Sequence, residues 1–261
     1  MTILFEKEKN IARIILNRPD VHNAFNAQMI ADLSDVFGDL ENCPEIDVVI
    51  ISGKGASFSA GADIEWMKQA ATYDNEKNIA DAMNLSNMLN SFFNLKQLTV
   101  VCAKGAIMGG GVGLVSCADI AIADQDSKFA LSEVKLGLIP ATISPFVIKA
   151  IGARQARRYF QTAELFGAEK AMEIGLVHEI STSDDDLDGL LETMLYRIEK
   201  NAPAAMKEAK KLALDYHQVV ISEELRRDTA LRIAKARSSE EAKIGLNAFL
   251  NKRKPDWKRD V

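Results

Sequence analysis

Three cysteines and three histidines in 261 residues leave little material for a disulfide frame or a metal centre. Cys43, Cys102 and Cys117 are odd in number and lack a CxxC spacing. Two of them, Cys102 and Cys117, sit in apolar runs, so they read as buried reduced thiols and imply a reducing, cytoplasmic compartment. His22, His178 and His217 are scattered, and no ligand cluster for a metal is expected. No apolar run approaches membrane-spanning length, so no membrane contact is expected. The opening MTILFEKEKNIARIIL carries acids and reads as strands rather than as a presequence. Positive charge is in deficit: 32 Lys and Arg against 37 Asp and Glu leave a net charge of −5, which argues against a nucleic-acid partner. The one basic run, KRKPDWKR at 252 to 259, reads as a solvated tail.

Several fingerprints are missing as well. There is no G-x-G-x-x-G, no phosphate loop ending in GK and a hydroxyl residue, and no G-x-S-x-G elbow, which weakens dehydrogenase, NTPase and serine-hydrolase readings. No internal repeat is strong enough to assert.

What is present is an alternation of strands and helices. Ile11 to Leu16 and Ile46 to Ser52 are compact apolar strands, the second too uniformly apolar to face water on one side. Between them, turn-like NRPDVHNAFN leads to Asn26, a helix cap, and to Met29, Ile30, Leu33, Val36, Phe37 and Leu40 at helical spacing. Further helices are expected at 75–94, 109–117, 144–151, 153–162 and 168–174, the last stopped at Gly175. Further strands are expected at Leu98–Cys102, Ile120–Ala123, Phe129 to Glu133 and Leu176–Ile180. The acidic stretch TSDDDLDG, 182 to 189, reads as a surface turn, and from Pro203 the pattern is helical. This predicts an α/β core over residues 1–195 and a helical region over 196–261.

Two small-residue loops each follow a buried strand: SAGAD at 59 to 63 and MGGGVG at 108 to 113. Such loops let backbone N–H groups converge on one oxygen, and the second also opens a helix, whose N-terminus favours negative charge. Glu133, in FALSEVKLGLIP, is a lone acid among apolar residues. It reads either as a proton carrier in a partly dry site or as a strand-end carboxylate paired to Lys135 or a distant cation.

The runs SFSAGADIEWM, GAIMGGG followed by CADIAIA, and FALSEVKLGLIP resemble the crotonase superfamily, the enoyl-CoA hydratase/isomerase family. The similarity extends from LNRPDVHNAFN to FLNKRKPDW, nearly the whole chain. LSEVKLGLIPATISPFVIKAIGARQARRYF is most similar to hydratases of branched, carboxylated enoyl-CoA esters, the methylglutaconyl-CoA and isohexenylglutaconyl-CoA type.

The resemblance implies a spiral of β-β-α units with a C-terminal helical trimerisation region, and a homotrimer or a dimer of trimers. It implies an acyl-CoA substrate and no separate cofactor. It places the oxyanion-hole N–H groups on Ala62 and Gly110 and the α-carbon proton transfer on Glu133. CoA contacts fall on Asp20, Val21 and His22, and on Phe249 and Lys252 of the last helix. Ala60, Asp63, Ile64, Gly113 and Thr142 complete the implied substrate-binding set.

One departure stands out. Two-glutamate hydratases carry an acid two residues after the glycine triplet, where this chain has Gly113. Residues 141 to 145, ATISP, replace a glycine-rich stretch, and Thr142 or Ser144 could there hold a water or a polar substrate group. Hydration of a conjugated enoyl-CoA is the expected reaction. The alternatives are a Δ3,Δ2-enoyl-CoA isomerase, for which one carboxylate suffices, and a non-catalytic acyl-CoA- or RNA-binding relative.

Overall fold

The computed structural model describes residues 1–182, 184–217 and 219–257. In chain order the first elements are β1 (Ile3–Glu8), β2 (Ile11–Leu16), α1 (Ala27–Glu41), β3 (Val48–Gly53), α2 (Ile64–Ala70), α3 (Asn75–Asn94) and β4 (Leu98–Ala103). They are followed by β5 (Ala106–Met108), α4 (Gly110–Cys117), β6 (Ile120–Asp124), β7 (Lys128–Ala130), α5 (Ser144–Thr162), β8 (Phe166–Gly167), α6 (Ala168–Glu173) and β9 (Glu179–Ser181). The helices α7 (Asp184–Ile198), α8 (Pro203–Asp215), α9 (Glu223–Arg237) and α10 (Glu240–Leu250) complete the chain, which divides into two compact units, Met1–Leu191 and Glu192–Val261.

In the first unit β1-β2-β3-β4-β6-β9 form one sheet, parallel except for the β1–β2 hairpin. Val48 to Ile51 are all buried, as their unbroken apolar run requires of a central parallel strand. A smaller sheet holds β5, β7 and β8. Two isolated bridges extend it, Ser59 with Ile107 and Phe25 with Ala62.

The order of chain segments exposes a repeat that the residues do not spell. Each of β2, β3, β4 and β6 runs through a short link into a position of this second layer (Phe25, Ser59–Ala62, β5 and β7) and only then into a helix. That is the β-β-α spiral. The helices close the core by aromatic contacts, Phe37 on Phe92 with ring centroids 5.1 Å apart and Phe93 on Phe146 at 5.6 Å.

Several boundaries move for local reasons. The chain turns at Cys43–Ile46, where Ile46 N–H donates to the Cys43 carbonyl, so β3 starts at Val48 rather than at residue 46. Leu176 and Val177 spend their N–H groups on the Ala171 carbonyl at the end of α6, so β9 covers only Glu179–Ser181. Most of the acidic stretch 182–189 is the first turn of α7 rather than a turn, because carboxylates suit a helix N-terminus and Asp186 accepts from Thr182. Glu133 is not on a strand: β7 ends at Ala130, and Glu133 opens a 3-10 helix, Glu133–Leu136, closed by Gly137 in the left-handed region.

Cys102 and Cys117 are buried free thiols, and burial pushes Cys102 up to about 12. In the second unit α8, α9 and α10 follow one another, with Trp257 donating to the Lys200 carbonyl at 2.8 Å. Of the basic run at 252 to 259, Lys258 and Arg259 lie outside the described residues.

Candidate active site

The second layer of strands carries the site. Ser59 N–H donates to the Ala106 carbonyl (3.1 Å) and Met108 N–H to the Ser59 carbonyl (2.9 Å), so the SAGAD loop is laced to β5. On its other side Phe25 N–H donates to Gly61 O at 2.7 Å and Asp63 N–H to Phe25 O at 2.8 Å. These bonds use the groups on either side of Ala62 and leave its own N–H without an acceptor among the described residues.

An ion pair locks the arrangement from behind. Arg18 meets Asp63 at 2.8 Å, both largely buried, and the same carboxylate caps α2 by accepting from Glu65 N–H at 2.8 Å. The hydrogen bond from Arg18 holds the Asp63 carboxyl below its usual range.

The glycine triplet then has a divided task. Gly109 takes φ +45°, a conformation closed to L side chains, and donates to Ala130 O at 3.0 Å, tying β5 to β7. This turn leaves the next N–H, that of Gly110, at the start of α4 with no acceptor among the described residues.

Glu133 faces the same turn. A Cβ at Gly109 would lie 3.0 Å from its Oε1. Its Oε2 is buried, and among the described residues it has no hydrogen-bond partner and no cation pairs with it. The expected alternative of a structural salt bridge to Lys135 therefore does not hold. Burial pushes the Glu133 carboxyl above its ordinary value of 4.5.

Ala62, Gly110 and Glu133 line one cleft of about 240 Å³. Its walls are largely apolar, with Phe25, Trp66, Met108, Leu138 and Ile143 among them, and Ser132 and Thr142 add two hydroxyl residues. A second, wider cleft shares Ala60, Ala62, Trp66 and Met67 with the first. It brings together Asp20, Val21, His22, Asp63 and Ile64. Phe249 and Lys252 belong to the second unit and stand exposed on and just after α10.

Two expectations need correction. Ser144 does not offer a free hydroxyl to the cleft, because its Oγ donates to the Ala141 carbonyl at 2.8 Å where α5 begins. Gly113 does not line the cleft: it is buried in α4, and a Cβ there would lie 2.5 Å from Ile143 Cγ2 and 2.9 Å from Ile143 Cβ. Within ATISP, whose side chains were expected to reshape the acyl pocket, the sequence did not reveal that Ile143, only 3% exposed, fills the space where an acid at position 113 would begin. Its neighbours in ATISP gave no hint, since a contact across 30 positions leaves no trace in one sequence.

Gly113→Ala should therefore destabilise the protein. Overpacking costs ~1–3 kcal/mol and outweighs the gain of up to ~1 kcal/mol in helix propensity. Ile143→Ala alone opens a cavity, but in the double variant the two losses should fall short of their sum by ~0.5–3 kcal/mol. Urea unfolding of the four proteins reads this coupling, and strict additivity would mean the contact is absent.

A spiral of β-β-α units that brings two backbone N–H groups with no acceptor among the described residues and one half-buried carboxylate to a single cleft defines the crotonase class. A match to the family described as enoyl-CoA hydratase/isomerase spans residues 6–260. The chain belongs to this family and is an enzyme of it. It is 31% identical to the short-chain-enoyl-CoA hydratase of Clostridium acetobutylicum, over 97% of this chain and 95% of that one. Among solved structures, an enoyl-CoA hydratase from Shewanella pealeana is 40% identical with a TM-score of 0.93, covering 98% of this chain and 96% of that one. AtuE of Pseudomonas aeruginosa is 34% identical with a TM-score of 0.94, and 98% of each chain is covered.

Proposed function

We propose that the protein hydrates a conjugated enoyl-CoA thioester, with a single carboxylate carrying the proton. The observation that carries this reading is the buried, unpartnered Oε2 of Glu133 in the cleft lined by Ala62 and Gly110. The two N–H groups would receive the thioester carbonyl oxygen and hold the charge that develops on it. Water adds to the β-carbon as one of its protons passes to Glu133, and the C=C electron pair moves into the enolate. The α-carbon then takes the proton from Glu133, which restores the thioester and leaves the carboxylate ionised. No further cofactor enters this scheme.

The CoA portion is proposed to lie in the wider cleft along Asp20, Val21 and His22. There the left-handed turn at His22 (φ +50°) and the bond from Ala60 N–H to the His22 carbonyl (2.9 Å) hold that backbone in place. The resemblance also suggests a carboxylated acyl group such as methylglutaconyl. The lining of the acyl cleft speaks for an apolar chain instead, branched or straight, because no Lys or Arg stands among it to pair a carboxylate. A homotrimer or a dimer of trimers is the proposed assembly.

One observation favours a second reading. With Ile143 packed over Gly113 there is no room for a second acid, and a Δ3,Δ2-isomerase needs only one. Crotonyl-CoA, 3-methylglutaconyl-CoA and a 3-enoyl-CoA given to the purified enzyme separate the readings. Loss of conjugated-enoyl absorbance from crotonyl-CoA, with no gain from the 3-enoyl ester, is expected. Gain from the 3-enoyl ester without hydration would replace the proposal by the isomerase. Turnover of the methylglutaconyl ester above that of crotonyl-CoA would restore the carboxylated substrate.

A further inference from the structure

Resting on the hydratase reading above, we propose that Thr142 is the residue that holds the attacking water, the second hand in a site with one acid. A water poised for attack must aim a lone pair at the β-carbon, and a single hydrogen bond to Glu133 leaves it free to rotate about that bond. A second polar group is required to fix it. Among the side chains lining the acyl cleft, only Trp66, Ser132, Glu133 and Thr142 carry nitrogen or oxygen. The Trp66 indole is already committed to Asp81 at 3.2 Å. That leaves two hydroxyls, and their places in the fold differ.

Ser132 stands beside Glu133 on the same chain turn and makes no capping bond to the 3-10 helix that follows. Thr142 comes from a separate loop further along the chain, immediately before Ile143, whose side chain packs on Gly113. It is half-buried, and among the described residues no hydrogen bond uses its hydroxyl. The loop that carries it is held by Ala141 N–H on the Ile139 carbonyl (2.8 Å) and by Ser144 N–H and Oγ on the Ala141 carbonyl. Thr142 is thus a cleft-lining hydroxyl on a fixed loop, next in sequence to the residue that fills the space beside Gly113.

In this arrangement the water donates one proton toward Glu133 and the other to Thr142 Oγ1, and its lone pair faces the β-carbon. Thr142 is not itself titrated: the proton that leaves the water goes to Glu133 and on to the α-carbon. Its role is to position the water, so its loss should spare chemistry that needs no water.

The test pairs hydration of crotonyl-CoA with exchange of the α-proton of a saturated acyl-CoA in deuterated solvent, which uses the N–H pair and Glu133 alone. Thr142→Val, which keeps shape and removes the hydroxyl, should lower kcat for hydration on the order of 10- to 100-fold, with KM and α-exchange held within about three-fold. Thr142→Ser should restore hydration to within about three-fold of the parent enzyme. Hydration by Thr142→Val at the parent rate overturns the proposal. So does a parallel fall in hydration and α-exchange, which marks a structural role, or the same selective loss in Ser132→Ala. Parent enzyme that exchanges the α-proton but hydrates no enoyl ester overturns the hydratase reading itself, a result separate from any of these.

Discussion

Glu133→Gln should lower kcat for enoyl-CoA turnover by roughly 10²- to 10⁴-fold while leaving the fold intact. The amide matches the carboxylate in shape but neither takes a proton from water nor gives one to carbon. Rates measured across pH sharpen the test. In the proposed hydration the ionised carboxylate is the active form, and burial raises its pKa from the ordinary value, so the acid limb of kcat/KM should lie above the ordinary carboxylate range. The same shift makes a stability prediction of opposite sign. In the folded protein Glu133 binds its proton more tightly than in the unfolded chain. The stability it contributes is therefore fully present below the unfolded pKa and is lost as pH rises through the folded one. Relative to the parent, Glu133→Gln should hold its melting temperature better as pH rises through that window. A variant as active as the parent, or one whose stability follows the parent at every pH, would remove Glu133 from the mechanism.

Gly109→Ala should be nearly as damaging, by a different route. At φ +45° an L side chain costs on the order of 1–3 kcal/mol, and relieving that strain rotates the peptide carrying Gly110 N–H. The added methyl would also press on Glu133 Oε1 from 3.0 Å. Misplacing an oxyanion donor by about 1 Å costs on the order of 10²-fold in rate, and losing it costs 10²- to 10³-fold. Steady-state kinetics should show the loss mainly in kcat, with KM changed far less. An unaltered kcat would mean that Gly110 N–H does not serve as a donor.

Both predictions act on residues that the chain advertises. Three glycines before a helix and one acid in an apolar run conflict with local propensity, and such conflicts are visible without coordinates. The Asn26 cap, with Met29 N–H on its Oδ1 at 2.9 Å, and the buried face of α1 were equally legible, because both depend on neighbours three or four residues away. The strand boundaries at Val48 and Glu179 were not. They depend on which nearby carbonyl a backbone N–H takes, the Cys43 carbonyl for Ile46 and the Ala171 carbonyl for Leu176 and Val177, a choice that residue types do not fix.

The Arg18–Asp63 pair joins residues 45 positions apart and was equally hidden, although both lie in recognisable motifs. Position 113 shows the limit most clearly. The missing acid could be read from the chain, but the filling of its space by Ile143, and the exposure of Thr142 to the cleft that goes with it, could not.

The sequence by itself determined the alternation of strands and helices, the two loops able to bare their N–H groups, and the family to which they belong. These follow from periodicity, caps and glycines, all short-range properties of a chain. The tertiary structure alone decided that Ala62, Gly110 and Glu133 share one cleft, that among the described residues no cation pairs with Glu133, and that Gly113 is walled off. Those are facts of packing between segments far apart in sequence, where the path of the backbone, and not the identity of the residue, sets the neighbour.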